Sequence, residues 1–395
     1  MKLLTKNTLL TLTTVIALSA CGGDGDKSTS PTNSNSNTSG NSSTPTISGQ
    51  FLSSHDTGKF FSTELYPSYQ QYGRNAKHCY QSYNNYYFES ENTMVFGNPD
   101  LPESDFKLAA QWAENNFNAA LAAMGITKTD YFSNRYSVRL EGLKYIRNQL
   151  SSRYYDTIDY PNNFDALTYE QQVDWATTTT KSLTKKEAVE LLVNDFYAPF
   201  QTETQAVLED KVYVCLHEKN TTNGWGEGSL SGITIGAPSL AIPHEVNKII
   251  THELIHTIQH ALSANFEGLG LPRWYTEGQA VLISGMDVAK KSDHSEYDPT
   301  LVVSYYDEVG DQSKAYGHYG LAYSYLKDSN SQATIIQMMK DMKNITYNFS
   351  TQNNSSLQEY HGYVEVFDRS MKQKNGSMLT VHEYRGDYHS LLSSY

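Results

Sequence analysis

Two histidines, two glutamates and their spacing carry the chemistry that can be read from this chain. The first group is His252-Glu253-Leu254-Ile255-His256, and Glu277 follows after 20 intervening residues. On an α-helix, positions i and i+4 lie one above the other, so the imidazoles of His252 and His256 can converge on one ion. Glu253 sits about 100° round the same helix, where its carboxylate can take a proton from an activated water without ligating the metal. Imidazole nitrogens with a carboxylate oxygen suit Zn²⁺, and a catalytic zinc site keeps three protein ligands and one open position. Glu277 is the candidate third ligand. Leu269-Gly270-Leu271-Pro272 interrupts the chain, and Trp274 to Ser284 then reads as a second helix able to fold back over the first. The expectation is one zinc ion per chain. His260 makes a second His-x-x-x-His pair with His256, but one helix face cannot send three successive turns to one ion, so it is read as a helix-face or supporting residue.

These residues resemble the gluzincin metallopeptidases, the zincins whose third ligand is a Glu on the helix after HExxH. Pro272-Arg273-Trp274-Tyr275-Thr276-Glu277-Gly278-Gln279-Ala280 resembles their P-x-W-x-x-E-G-x-A element. The resemblance covers about residues 230 to 345. It implies an α+β, zincin-like fold in which a small mixed sheet precedes the HExxH helix and a mostly helical part follows. It implies zinc-dependent hydrolysis of a peptide or protein substrate, with His252, His256 and Glu277 as ligands and Glu253 as base. Downstream, Tyr316 falls on the family's Tyr and Tyr325-Leu326 on its aromatic-Leu pair. Tyr316 is therefore the expected donor to the oxyanion formed as water adds to the carbonyl, with His318 second. In the family an edge strand pairs with the substrate backbone, and Ser231 to Gly236 is the candidate, an interior strand being the other reading. Two departures stand out. Thermolysin-like enzymes carry an Asp four residues after the ligand Glu, where this chain has Val281. The Gly-x-Met-Glu-Asn element of aminopeptidase N relatives has no counterpart, since Gly236-Ala237-Pro238-Ser239 lacks a Glu, which favours an endopeptidase. The alternative is a non-catalytic, Tyr-rich binding lipoprotein on a zincin scaffold.

The elements that must position these residues follow from periodicity. Ser104 to Met124 repeats apolar residues at three and four and stops at Gly125, a helix. Leu140 to Ser151, Tyr169 to Thr177 and Ala188 to Phe196 read as further helices, the last behind a Thr184/Glu187 capping box. Phe51 to Pro102 reads as strands and loops, with a strand around Asn92 to Phe96. Lys211 to Leu216 and Gly232 to Gly236 alternate with period two and read as strands. The metal helix is expected to start near His244. For Ala315 to Met342 it is the family resemblance that implies two successive helices, and Met338, Met339 and Met342 look like core.

The N-terminus places this unit. Met1 to Ala20 combines Lys2 and Lys6 with an apolar run too short to span a bilayer, which reads as a signal peptide. Leu18-Ser19-Ala20-Cys21-Gly22 resembles a bacterial lipobox, which implies acylation of Cys21 and a lipid-anchored protein of the cell envelope, at the outer membrane. Residues 21 to 50 contain almost only Ser, Thr, Asn, Gly, Asp and Pro, too little apolar surface to fold, and read as a tether. The expected division is then 1 to 20 signal, 21 to 50 tether, 51 to 230 a Tyr-rich α+β part, and 231 to 395 the catalytic part. A formal charge of -13 leaves no basic excess for phosphates, so nucleic acid is excluded as a bulk-surface partner. In an oxidising compartment, Cys79 and Cys215 form one disulfide or remain buried thiols. Thirty tyrosines suit either a partly exposed binding face or a core.

Overall fold

The structure, a computed structural model, describes residues 45–57, 85–97, 99–135, 166–167, 171, 210–217, 226–228, 232–236, 243–263, 271–303, 307, 310, 312–346 and 361–395. The signal, lipobox and tether readings up to residue 44, Cys79 and, apart from the helical Gln171, the three helices expected between 140 and 196 lie outside the described residues.

Six strands form one mixed sheet: β1 (Gln50–Ser53), β2 (Tyr86–Glu89), β3 (Thr93–Gly97), β4 (Val212–His217), β5 (Gly226–Gly228) and β6 (Gly232–Gly236), in the order β1-β2-β3-β4-β6-β5. β3, β4 and β6 run parallel, while β1, β2 and β5 are antiparallel to their neighbours. The alternation read in the sequence separates two buried faces. Phe88, Val95, Val212, Val214, Leu216, Ile233 and Ile235 join the main core, whereas Tyr87, Met94, Phe96, Tyr213 and Cys215 cluster on the other face. Cys215 is disulfide-bonded there. One expectation is corrected: residues 232–236 are not an edge, because β6 pairs with β4 on one side and β5 on the other. Among the described residues the terminal strand is β5, whose Gly-Glu-Gly sequence has no β signature of its own. β5 and β6 lie on either side of residue 230 and pair with each other, so one sheet spans the expected boundary there.

Helices cover the main face of the sheet. The long helix α2 (Glu103–Met124) follows the four-residue α1 (Ser54–Thr57); it buries Phe106, Ala110, Ala113, Phe117, Ala120, Leu121 and Met124 and ends where Gly125 turns left-handed at φ 69°. α3 (Pro243–Ser263) packs on α2, and Thr251 Oγ1 donates to Asn116 Oδ1 (2.9 Å), while Asn116 Nδ2 donates to Asn247 Oδ1 (2.9 Å). Thr257 Oγ1 ties α3 to the sheet by donating to the Gly232 carbonyl (3.2 Å). α4 (Arg273–Ser284), α5 (Gln312–Ser329) and α6 (Gln332–Thr346) follow, with Met338, Met339 and Met342 buried as expected. α7 (His361–Ser370), α8 (Val381–Gly386) and α9 (Tyr388–Ser393) close the far side, and Tyr384 Oη donates to the Ala322 carbonyl (2.7 Å). Ten tyrosines are buried among the described residues and only Tyr86 is exposed there, at 47%. In that part of the chain Tyr is core material, with ring pairs such as Tyr275–Tyr323 and Tyr325–Tyr384 at 5.3 and 5.7 Å.

Candidate metal centre

α3 carries His252, Glu253 and His256 on its inner side, and α4 brings Glu277 to them. His252 Nε2 lies 3.1 Å from Glu277 Oε2 and 3.1 Å from His256 Nε2, and His256 Nε2 lies 3.4 Å from the same carboxylate oxygen. In a tetrahedral zinc site with bonds of about 2.0–2.1 Å, ligand atoms are roughly 3.3–3.4 Å apart, so this triangle fits one ion. His252, His256 and Glu277 are the one group among the described residues whose donor atoms converge in this way. Glu253 is buried beside them, 1% exposed, and its charge acts on His256.

The sequence positions Glu277 through the start of α4. Pro272 opens the helix, and the otherwise unpaired first amides, of Arg273 and Trp274, donate to the carbonyls of Val303 (2.8 Å) and Val302 (3.1 Å). Gly278, next to the ligand, lets α4 meet α5 backbone to backbone. A Cβ there would stand 2.3 Å from the Tyr319 carbonyl oxygen, so any larger residue would drive the helices apart. This close approach brings Tyr316 of α5 to the centre, where its ring stacks on His252 at 6.1 Å.

Arg273 is a functional residue that the sequence reading missed. Its Nη1 donates to Glu277 Oε1 (2.7 Å) and its Nη2 to Tyr316 Oη (3.0 Å). One carboxylate oxygen of Glu277 is thereby engaged, leaving Oε2 for the ion, and the Tyr316 oxygen acts as an acceptor, which turns its own hydrogen elsewhere. The i, i+4 spacing of Arg273 and Glu277 was the available signal. Gln259 and Gln279 were also missed. His256 Nδ1 lies 2.8 Å from Gln259 Oε1, and Gln259 Nε2 donates to the Thr276 carbonyl and to Gln279 Oε1, both at 2.9 Å. Gln279 Nε2 then donates to Tyr323 Oη (2.7 Å).

The charges are mutually dependent. Burial opposes ionisation of Glu277, but Arg273 and the two imidazoles hold its carboxyl well below the usual range. Burial works against a charged His256 too, yet Glu277 and Glu253 outweigh it and push its pKa up to about 9. Burial lowers that of His252. A positive charge is therefore favoured between two carboxylates, which is the electrostatic requirement for holding a cation.

His318 does not join this centre. Two positions along a helix are about 200° apart, so with Tyr316 facing His252 it faces Tyr297, with ring centroids 5.7 Å apart. His260 also stands outside the converging set. No protein-family model, curated protein or solved structure matches this chain.

Proposed function

We propose that this chain is a zinc metallopeptidase that hydrolyses internal peptide bonds, a lipid-anchored protein of the gluzincin type. The observation that carries the reading is the triangle of His252 Nε2, His256 Nε2 and Glu277 Oε2 with edges of 3.1, 3.1 and 3.4 Å beside a buried Glu253. A zinc ion held by these three residues would polarise the scissile carbonyl and acidify the attacking water. Glu253 takes the proton from that water and returns it to the leaving amine. Tyr316, its oxygen occupied by Arg273, directs its hydroxyl hydrogen to the developing oxyanion. In this reading β5, the terminal strand among the described residues, takes the role expected of residues 231–236, and an extended substrate adds to it by backbone hydrogen bonds. Ten tyrosines buried among the described residues weigh against the alternative, a non-catalytic Tyr-rich binding lipoprotein, in that part of the chain.

The test pairs metal analysis with a peptide-library digest of the mature protein. Wild type should hold one zinc per chain and cleave within peptides. Glu253→Gln should retain the zinc and lose about 10²–10⁴-fold in rate. A fully active Glu253→Gln variant would sink the mechanism. Anchoring through Cys21 is tested separately by the mass of the mature N-terminus, which should begin with acylated cysteine.

A further inference from the structure

A ring nitrogen beside a primary amide can face the amide's oxygen or its nitrogen, and the two choices place the ring proton on opposite nitrogens of the imidazole. At His256 the surroundings of the amide decide. The Thr276 carbonyl, 2.9 Å from the Gln259 amide, can only accept, so the nitrogen of Gln259 belongs at that end and its oxygen at His256 Nδ1. Gln279 runs in the same sense. Its oxygen accepts from Gln259, and its nitrogen donates to Tyr323 Oη at 2.7 Å and approaches Met339 Sδ at 3.8 Å. Turning Gln279 over would bring two NH2 groups face to face. Gln259 and Gln279 are 1% and 0% exposed, so a turned amide would strand its polar atoms away from water.

We propose that Gln259 and Gln279 are positioning residues for the metal: anchored on the Thr276 carbonyl, they hold His256 as the Nδ1–H tautomer, leaving the Nε2 lone pair for an ion shared with His252 Nε2 and Glu277 Oε2. This rests on the metal reading of that cluster. The pair acts on the second histidine of the motif; it does not replace the Asp that orients the first in thermolysin-like enzymes, whose position is Val281 here. The orienting group is a pair of neutral amides, and the charge of the centre stays with Arg273, Glu253 and Glu277. Neither Gln touches substrate; both act through His256.

The test uses the full chain, stripped of metal and titrated with Zn²⁺ against a chelator. Gln259→Leu removes the acceptor and should weaken zinc binding about 10–100-fold. Gln259→Glu accepts the same Nδ1–H and, as the neutral acid, donates to the Thr276 carbonyl in place of the amide, with Gln279 free to turn toward it, and should stay within about threefold of wild type. A group that only filled space would not distinguish the two. In zinc-loaded protein labelled with ¹⁵N at histidine, an exchange-protected Nδ1–H resonance of His256 should be present in wild type and Gln259→Glu and absent from Gln259→Leu. Should Gln259→Leu not fold, Gln279→Leu is read in the same way with a smaller loss, about three- to tenfold. Wild type that binds zinc while the leucine variants bind equally tightly overturns the positioning role alone. Wild type that binds no zinc overturns the metal reading beneath it, and the positioning role with it.

Discussion

Two groups of histidines lie at opposite sides of α5, and only one is arranged as a metal centre. At the first, His252 and His256 stack on one helix, a second helix delivers Glu277, and the ligand atoms stand 3.1 to 3.4 Å apart. At the second, His294, His318 and His389 come from a 3-10 turn, α5 and α9. The rings of His294 and His389 are 5.8 Å apart, His389 Nδ1 is engaged with the His294 carbonyl at 3.0 Å, and His318 packs on Tyr297. Acidic residues are near both groups. Glu277 is buried, with one oxygen turned to the rings and the other held by Arg273, whereas Glu296 is half exposed and pairs with Lys314. A binding site is made by the fixed direction of lone pairs, which a short loop packed on a helix end does not supply.

The largest effect should come from making the first group resemble the second. Glu277→Ala leaves two histidines and Arg273 facing a cation with no carboxylate between them. If the 10–16 kcal/mol of a four-ligand zinc site is shared roughly equally, losing one ligand weakens binding by about 10²–10³-fold. Chelator competition measures this directly. Undiminished zinc binding by Glu277→Ala would make the two groups equivalent and remove the distinction drawn between them.

An intermediate effect should follow from Arg273→Met, which keeps all three ligands but frees Glu277 Oε1 and removes the donor to Tyr316 Oη. Outer partners of metal ligands typically matter 10–100-fold, and zinc affinity should fall within that range. Thermal unfolding of the metal-free variant supplies a second reading, since breaking a buried ion pair costs about 3–5 kcal/mol. Equal affinity and stability in wild type and variant would mean that Arg273 neither orients nor balances Glu277.

These residues also mark how much of the molecule was legible in the sequence. α2, β4 and β6 announce themselves by apolar period and the ligands on α3 by the i, i+4 rule, because both signals are local, whereas α4 is legible from the break at Pro272 and α5 and α6 from the family resemblance. β5 does not, since Gly226–Gly228 becomes a strand only through the backbone bonds of β6. Gln259 and Gln279 read as ordinary polar helix residues. Nothing local indicates that they meet across two helices, although Gln259 lies three residues from His256 on the same face. His318 was chosen for its chemistry alone; helical phase places Tyr316 and His318 on different sides of α5, and only packing tells which side faces α3.

The smallest effect belongs to the second group and sharpens the comparison by its absence at the first. His318→Gln should leave zinc affinity unchanged, because its ring meets Tyr297 and its charged neighbours are Lys314, Glu296, Asp293 and His294 rather than the ligands. Its contribution should appear in the pH dependence of stability. Burial, then Lys314, lowers its pKa below the usual histidine value, with Glu296 and Asp293 acting the other way. The unfolded chain therefore takes up the His318 proton first as pH falls, and the folded state loses stability from about pH 6.5 downward until the folded pKa is passed. One such group changes stability by at most about 1.4 kcal/mol per pH unit, so His318→Gln should flatten the acid side of the urea-unfolding profile between pH 7 and 5 by less than that. An unchanged profile would mean that the ring is protonated equally in both states, while an altered zinc affinity would mean that the two histidine groups are coupled through α5.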